Sequence, residues 1–567
     1  MPTVAQTLQE RLRDALAALE FPSEDSVQVV PTADPRNGDY QTSMAMVLAK
    51  ARRENPRALA GRIAEKINLT GIGAPPEVAG PGFINFRLAP EFVAQRLVAL
   101  SEDSRLGVER ESNPKTLIVE YSSPNIAKPM HVGHIRSTIL GDALARVARF
   151  LGHRVITDNH LGDWGTQFGK VIYAWKHFRD ENVLETDPMV ELVRLYREAD
   201  LRSKQDPAVL ERCRLELVKL QQGDLENRAI WEQCVALSLR EFAAIYKLLG
   251  VEFDEQLGES AYDAELPSMV ERLLAKGVAE ISDRAAVIFD NQISETPFMI
   301  RKSDGGFGYA TTDIATLEYR IKRWNPDGIW YVVGAPQQLH FRQLFSVARR
   351  LGCRVDLEHI AFGSILGEDR KLMRTRSGES VPLRELLEEA IDRAGALVRE
   401  KNAALAGSEA EEIAKIVGLG AVKYAELSQH RLTDYVFSWS KMLSFQGNTA
   451  PYLQNAYVRS KAIFRRLNEP FQPPAHMVLA DPAEQTLGKE ILRFGEVVPA
   501  VLDGFKPNVL ANFLYELAAK YHVFYERCPV LTAEGETRAS RLLLCSLFSR
   551  TIQTGLMLLG IEVPERM

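Results

Sequence analysis

Apolar residues recur along this chain with two different periods, and the changes between them divide it into sections. In residues 1–20, MPTVAQTLQERLRDALAALE, a spacing of three and four predicts an amphipathic helix. Glu10 and Asp14 lie inside that pattern and no basic segment precedes it, unlike a signal peptide. A second helical pattern, NPRALAGRIAEKI, follows the turn-rich PTADPRNGDYQ. Phe83 to Leu88 then partly alternate, after a turn marked by Pro75, Pro76, Gly80, Pro81 and Gly82, which predicts a strand. Residues 1–108 read as an α+β module.

From residue 116 the pattern changes. TLIVEYSS is a short β-branched run, Pro124 and Asn125 mark a turn, and HVGHIRSTILGDALARVARFLG carries Ile135, Ile139, Leu140, Ala143, Leu144, Val147 and Phe150 on one helical face. Gly152 is a natural stop, and RVITDN is the next strand. Strand, helix and strand make a βαβ unit, which predicts a doubly wound parallel sheet in a domain spanning about 109–430. Residues 171–250 are mostly charged helical pattern and read as part of an insertion reaching about 284. AAVIFD (285–290), GIWYVVG (328–334) and HIAFGSI (359–365) are expected to add strands to the sheet. Beyond about residue 383 the pattern is helical, broken at SFQGNTAP and by a proline-rich link near 471–482, so residues 431–567 are expected to form an all-α bundle. No internal repeat or low-complexity tract is present.

Composition narrows the class. With 46% apolar and 25% charged residues, the 567-residue chain is a folded multidomain α/β protein rather than a fibrous or disordered one. A formal charge of -6 argues against bulk-charge coating of nucleic acid and leaves local basic patches open. Cys213, Cys234, Cys353, Cys528 and Cys545 contain no C-x-x-C pair, which points away from a zinc ribbon or a disulfide framework and toward the reducing cytoplasm. No apolar run approaches the ~20 residues that span a bilayer, so no membrane anchor is expected.

The candidate chemistry centres on His131, Val132, Gly133 and His134, between a strand and the first turn of a helix. Free backbone N–H groups there attract phosphate, two imidazoles can donate to its oxygens, and Gly133 lets a flat base approach, which suits ATP. Two surface histidines on an ordinary helix start are the plainer alternative. Arg370, Lys371, Arg374 and Arg376 form a basic loop that could neutralise a departing pyrophosphate, or be a solvated turn.

Together these features resemble a class I aminoacyl-tRNA synthetase with HVGH as its first signature. Further strings sharpen the resemblance to the arginyl-tRNA synthetase family: GPGFINFRL, EYSSPNIAKPMHVGHIRSTILGD, NHLGDWGTQFG, GES at Gly258, YATTDIA, YVVGAPQQLHF and FSWSKMLSFQGNTAPYLQNAYVR. The lysine-rich second signature of the class is absent as such, and the resemblance implies that Lys128 substitutes for it. It implies a Rossmann-like catalytic domain between an N-terminal tRNA-contacting module and a helical anticodon-binding bundle. It further implies ATP as substrate with Mg2+, no zinc and no protein-held metal, with L-arginine and tRNA(Arg) as partners of a monomer.

Carried over by residue, Glu120, Asn125 and Gln337 would hold the amino and carboxylate end of arginine, Tyr309, Asp313 and Glu259 its guanidinium, and His134 would also bind arginine. His131, Gly133, His134 and Lys128 would bind ATP, with Lys371, Arg374 and Arg376 assisting catalysis. A guanidinium with five donors is best matched by carboxylates, which agrees with the acidic pair. GDWGTQFG would wall the pocket without direct chemistry. For tRNA the resemblance implies Phe83, Asn85 and Arg87 in the N-terminal module, and Trp439, Gln446, Tyr452, Gln454, Tyr457 and Arg459 in the bundle. Interleaved aromatic and basic groups of this kind suit single-stranded RNA, although aromatics at such spacings also build cores. Two rival readings are a small nucleotidyltransferase, which leaves both terminal sections unexplained, and a tRNA-binding paralogue with a dead site, against which stand the intact histidines, Lys128, Asn125 and Asp313.

Overall fold

The computed structural model describes residues 1–21, 28–374, 380–402, 407–467 and 470–567. They form two compact units, one of Glu111–Leu443 with Leu558–Ile561, the other of Met1–Arg110 with Ser444–Met557 and Glu562–Met567.

The second of these units joins both ends of the chain. Its first helix, Val4–Ala18, starts at Thr3, which caps the Gln6 amide while the Gln6 side chain returns to the Thr3 amide. Val4, Leu8, Leu12, Ala15 and Leu16 make its buried face. Phe83–Phe86 is a central strand of a four-stranded antiparallel sheet, between Tyr40–Thr42 and Glu77–Ala79. Helices Ala450–Arg465, Pro482–Leu492, Phe494–Ala500, Pro507–Arg527 and Gly535–Leu558 supply the helical part. Glu496 accepts from the Ala5 amide at 2.9 Å and the Tyr40 hydroxyl at 3.0 Å, and Lys489 pairs with Asp39 at 2.8 Å. Gly488 packs against Leu97 and Val93 of the helix Pro90–Glu102 so closely that a Cβ would lie 2.8 Å from Leu97.

The first unit is built on a five-stranded parallel sheet in the spatial order Asp356–His359, Gly328–Tyr331, Thr116–Glu120, Arg154–Leu161, Glu255–Gly258. Thr116–Glu120, the helix Val132–Phe150 and Arg154–Leu161 are the expected βαβ unit. The strand order reverses beside Thr116–Glu120, which opens a crevice at its carboxyl end. Between the second strand and Glu255–Gly258 the chain forms helices Gln167–Phe178, Glu181–Thr186, Pro188–Gln205, Pro207–Gln221 and Leu225–Leu249.

Two strand expectations are corrected. Ala285–Asp290 does not join the parallel sheet; it is the middle strand of a separate antiparallel sheet with Glu280–Ser282 and Ser294–Arg301. The cause is local: Asp283 and Arg284 both have positive φ (48° and 64°) between the paired Ser282 and Ala285, the signature of a two-residue hairpin turn. HIAFGSI divides, since the parallel strand ends at His359 while Ile365–Leu366 pairs instead with Tyr435–Val436. Ile118, Ile156, Ile314, Ile329 and Leu344 belong to one buried apolar cluster of this unit, which seats the helices Tyr309–Trp324 and Gln338–Arg350.

Candidate active site

The first turn of the helix Val132–Phe150 is capped by its own histidines. His131 Nδ1 accepts the Gly133 N–H at 3.1 Å, and His134 Nδ1 accepts the His131 N–H at 3.1 Å. A neutral imidazole that accepts at Nδ1 carries its hydrogen on Nε2, so both rings are set as Nε2–H donors. The expectation of free amides here is corrected: Val132 N–H bonds to the Val381 carbonyl and His134 N–H to the His131 carbonyl, so these N–H groups already have partners. Gly133 is required for this arrangement, because a Cβ on it would lie 2.8 Å from His131 Cε1. Burial first, and neighbouring His131 second, push His134 down to about 3, while burial and then Lys128 lower His131. Both rings are therefore neutral near pH 7.

His131 and Gly133 border a cavity of about 240 Å³ at the crevice, lined also by Arg136, Gly334, Phe362 and Arg374. Of the basic loop, Arg374 reaches this cavity, Lys371 is an exposed residue of the turn closed by Gly367 N–H to Lys371 carbonyl, and Arg376 lies outside the described residues. Lys128 lines a larger neighbouring cavity of about 1110 Å³ with His131, its ammonium 5.3 Å from the Tyr196 ring centre.

An acidic cluster forms where the neighbouring strand ends. Glu259 follows Glu255–Gly258 directly and is buried; burial first, then the charges of Asp313 and Asp163, raise its carboxyl to about 8. Asp313 lies one turn into the helix Tyr309–Trp324, and its Oδ2 meets His340 Nε2. Tyr309, at the start of that helix, is 63% exposed, and its phenol is raised by partial burial and then by Glu259 and Asp313. These three expected guanidinium ligands are thus neighbours. Asp163, assigned no chemistry from sequence, belongs with them: it accepts from the Ser260 amide at 2.8 Å and the Ser260 hydroxyl at 2.6 Å.

The same unit holds a buried charge network. The fully buried Arg320 donates to Asp158 at 2.7 and 2.9 Å and pairs with Glu120 at 2.6 Å. Burial opposes its charge, but Asp158 and then Glu120 outweigh that and hold its pKa well above the ordinary value. Glu120, expected at the amino end of arginine, is therefore tied by Arg320. Asn125 pairs with Gly162, where a Cβ would lie 2.3 Å from Asn125 Oδ1. Gln337 is exposed on the short turn Ala335–Gln337, just past Gly334 of the first cavity.

The residues expected to touch RNA divide by burial. In the N-terminal sheet Arg87 is exposed and Phe83 half-buried, whereas Asn85 is buried. Trp439 sits edge-on to Phe437 at 4.7 Å with Arg393 over its ring, and Gln446 is exposed. Gln454 and Tyr457 face the bundle interior, Gln454 donating to the Glu562 carbonyl at 2.9 Å. Tyr452 and Arg459 instead join a half-buried cluster with Tyr515, His522 and Tyr525: Tyr452 lies 5.1 Å from His522, and the Arg459 guanidinium 4.5 Å from the Tyr525 ring. The last three were missed from sequence, although their spacing of seven and three on the helix Pro507–Arg527 places them along one face.

Comparison with known proteins covers nearly the whole chain. Residues 96–439 match the family described as tRNA synthetases class I (R), catalytic domain, residues 453–567 the DALR anticodon binding domain, and residues 6–88 the arginyl tRNA synthetase N terminal domain. The chain is 44% identical over 575 residues to an arginine–tRNA ligase of Laribacter hongkongensis, covering 100% of both. It is similar in structure to the arginyl-tRNA synthetases of Plasmodium falciparum (28% identity, TM-score 0.85) and Thermus thermophilus (26%, TM-score 0.83), covering 100% of each pair.

Proposed function

The chain belongs to the arginyl-tRNA synthetase family of class I enzymes, and from that premise we propose how its own side chains divide the reaction. It is an arginine–tRNA ligase: it activates L-arginine with ATP and transfers the arginyl group to tRNA(Arg). The arginine carboxylate attacks the α-phosphate, pyrophosphate leaves, and a ribose hydroxyl of the terminal adenosine then attacks the adenylate. No side-chain nucleophile is needed. Alignment and charge stabilisation carry the rate.

His131 and His134 donate through Nε2–H to the phosphate oxygens, while Lys128, Lys371, Arg374 and Arg376 supply positive charge against which pyrophosphate departs. The observation that carries this assignment is the reciprocal cap, which uses Nδ1 of each ring and leaves Nε2 as donor. Glu120, steadied by Arg320, acts with Asn125 and Gln337 on the α-ammonium and carboxylate of arginine. Glu259, Asp313 and Tyr309 take the guanidinium, whose planar fork two carboxylates match better than they match an ammonium. Mg2+ would be held through the ATP phosphates and would supply charge neutralisation there. Phe83 and Arg87 serve the tRNA body, and buried Asn85 belongs to the sheet that presents them. Tyr452, Arg459 and Gln446 serve the anticodon loop, and Gln454 and Tyr457 hold the bundle that presents them. The protein works as a monomer in the cytoplasm, in keeping with five free cysteines, four of them buried. No described helix is long and apolar enough to cross a membrane.

The test is arginine-dependent exchange of labelled pyrophosphate into ATP, with and without tRNA and with lysine as control. Exchange with arginine and not lysine is expected, and the resemblance implies that it requires tRNA. Exchange in His134→Ala at the parent rate would overturn the assigned role of the histidines.

A further inference from the structure

The guanidinium pocket contains one contact that the reading above leaves unused. His340 lies in the first turn of the helix Gln338–Arg350, and its Nε2 meets Asp313 Oδ2, each side chain 24% exposed. The imidazole is held in place by aromatic rings, with Phe298 5.3 Å away on one side and Phe341 5.5 Å away and perpendicular on another. Phe341 is itself stacked on His359 at 4.6 Å, so the support extends to the parallel sheet. A carboxylate only accepts hydrogen bonds, so Nε2 carries the hydrogen.

We propose that His340 is the positioning residue of the guanidinium site, orienting the Asp313 carboxylate through Nε2–H so that Oδ1 is left to accept from arginine. This rests on the reading of Asp313 as a guanidinium ligand. Glu259 faces Asp313, and free rotation of the Asp313 side chain would turn its carboxylate away from the place where both groups could share one cation. The ring-fixed imidazole opposes that rotation. It also makes the pocket directional. A planar guanidinium needs its acceptors in fixed directions, whereas a lysine ammonium is a point charge that tolerates a rotated carboxylate. His340 therefore contributes to the selection of arginine over lysine as well as to affinity.

The experiment compares full-length His340→Leu and His340→Gln in aminoacylation. Glutamine can place an amide N–H close to the position of Nε2, and leucine cannot. Loss of one charge-assisted hydrogen bond corresponds to about tenfold to a hundredfold, so His340→Leu is expected to raise the KM for arginine by that amount. The KM for ATP should stay within about twofold, the preference for arginine over lysine should narrow, and His340→Gln should recover most of both. Should the leucine variant not fold, His340→Asn, polar but too short to reach Asp313, takes its place. An unchanged arginine KM, or equal rises in the arginine and ATP KM values without rescue by glutamine, overturns the proposal. Asp313→Asn separates the two levels: if it leaves the arginine KM unchanged, the assignment of Asp313 fails and the role of His340 with it. If it raises that KM while the His340 variants do not, only the His340 proposal falls.

Discussion

The Asp163 carboxylate occupies the space that a side chain on Gly258 would need: a Cβ there would lie 2.0 Å from Oδ2 and 2.1 Å from Cγ. The backbone at Gly258 is ordinary extended chain, φ -87°, so the glycine is demanded by proximity and not by conformation. Gly258 is also the residue before Glu259. Gly258→Ala must therefore push Asp163 off Ser260 or shift Glu259. Overpacking of this kind costs about 1–3 kcal/mol, and we expect the arginine KM to rise while the ATP KM holds. Urea unfolding with steady-state kinetics checks both; a variant with parental stability and arginine KM would refute it.

The raised carboxyl of Glu259 predicts proton release on arginine binding. With its pKa moved from 4.5 to about 8 by burial and then by Asp313 and Asp163, Glu259 is protonated in the free enzyme at pH 7. A guanidinium favours the ionised form, so each arginine bound below about pH 8 expels up to about one proton, and arginine affinity increases as pH rises toward 8. Stability runs the other way: the protonated state lets the folded form keep its full stability below about pH 4.5, and that contribution declines as pH climbs through 8. Calorimetry of arginine binding in buffers of different ionisation heats measures the proton count. Glu259→Gln should abolish it, and an unchanged count in that variant assigns the proton elsewhere.

His134 predicts a flat pH response. At a pKa of about 3 it stays neutral through the working range, so it acts as a fixed donor and not as a titrating acid. His134→Ala should slow pyrophosphate exchange by about 10²- to 10³-fold, and by the same factor at pH 6.5 as at about 8.5. A defect that disappears at one end of that range would show that the imidazole changes charge there.

Arg320 predicts a large structural cost. Removing a guanidinium that compensates Asp158 and Glu120 leaves two buried carboxylates facing each other, a loss of about 3–5 kcal/mol. Arg320→Met should unfold at markedly lower denaturant and recover partly at acid pH, where those carboxylates protonate. A midpoint equal to the parent's would mean the network contributes little.

Legibility from sequence followed the range of the interactions. The βαβ unit was readable because β-branched Thr116–Glu120 and the spacing of Ile135 to Phe150 are local signals. The histidine pair was readable because its partners are two and three residues apart. Ala285–Asp290 misled, since a β-branched run is the same in parallel and antiparallel sheets; Asp283 and Arg284 decided the matter, and neither is glycine or asparagine, the usual turn residues. Arg320 with Asp158, Asp163 with Ser260 and His340 with Asp313 bridge 162, 97 and 27 positions, and charge pairs at such separations leave no periodic trace. Glu259 and Asp313 became candidates through family resemblance alone. Their proximity, and the proton it implies, are tertiary facts.

The unit that joins Met1–Arg110 to Ser444–Met557 has a consequence for how the chain is made. On the ribosome the first hundred residues emerge well before the helices that cover them, and at about 5–20 residues per second the wait is on the order of tens of seconds. Throughout it Tyr40 and Asp39 lack Glu496 and Lys489, and Val93 and Leu97 face solvent where Gly488 will pack. A message cut short before Pro482 would release a chain whose opening module lacks these partners.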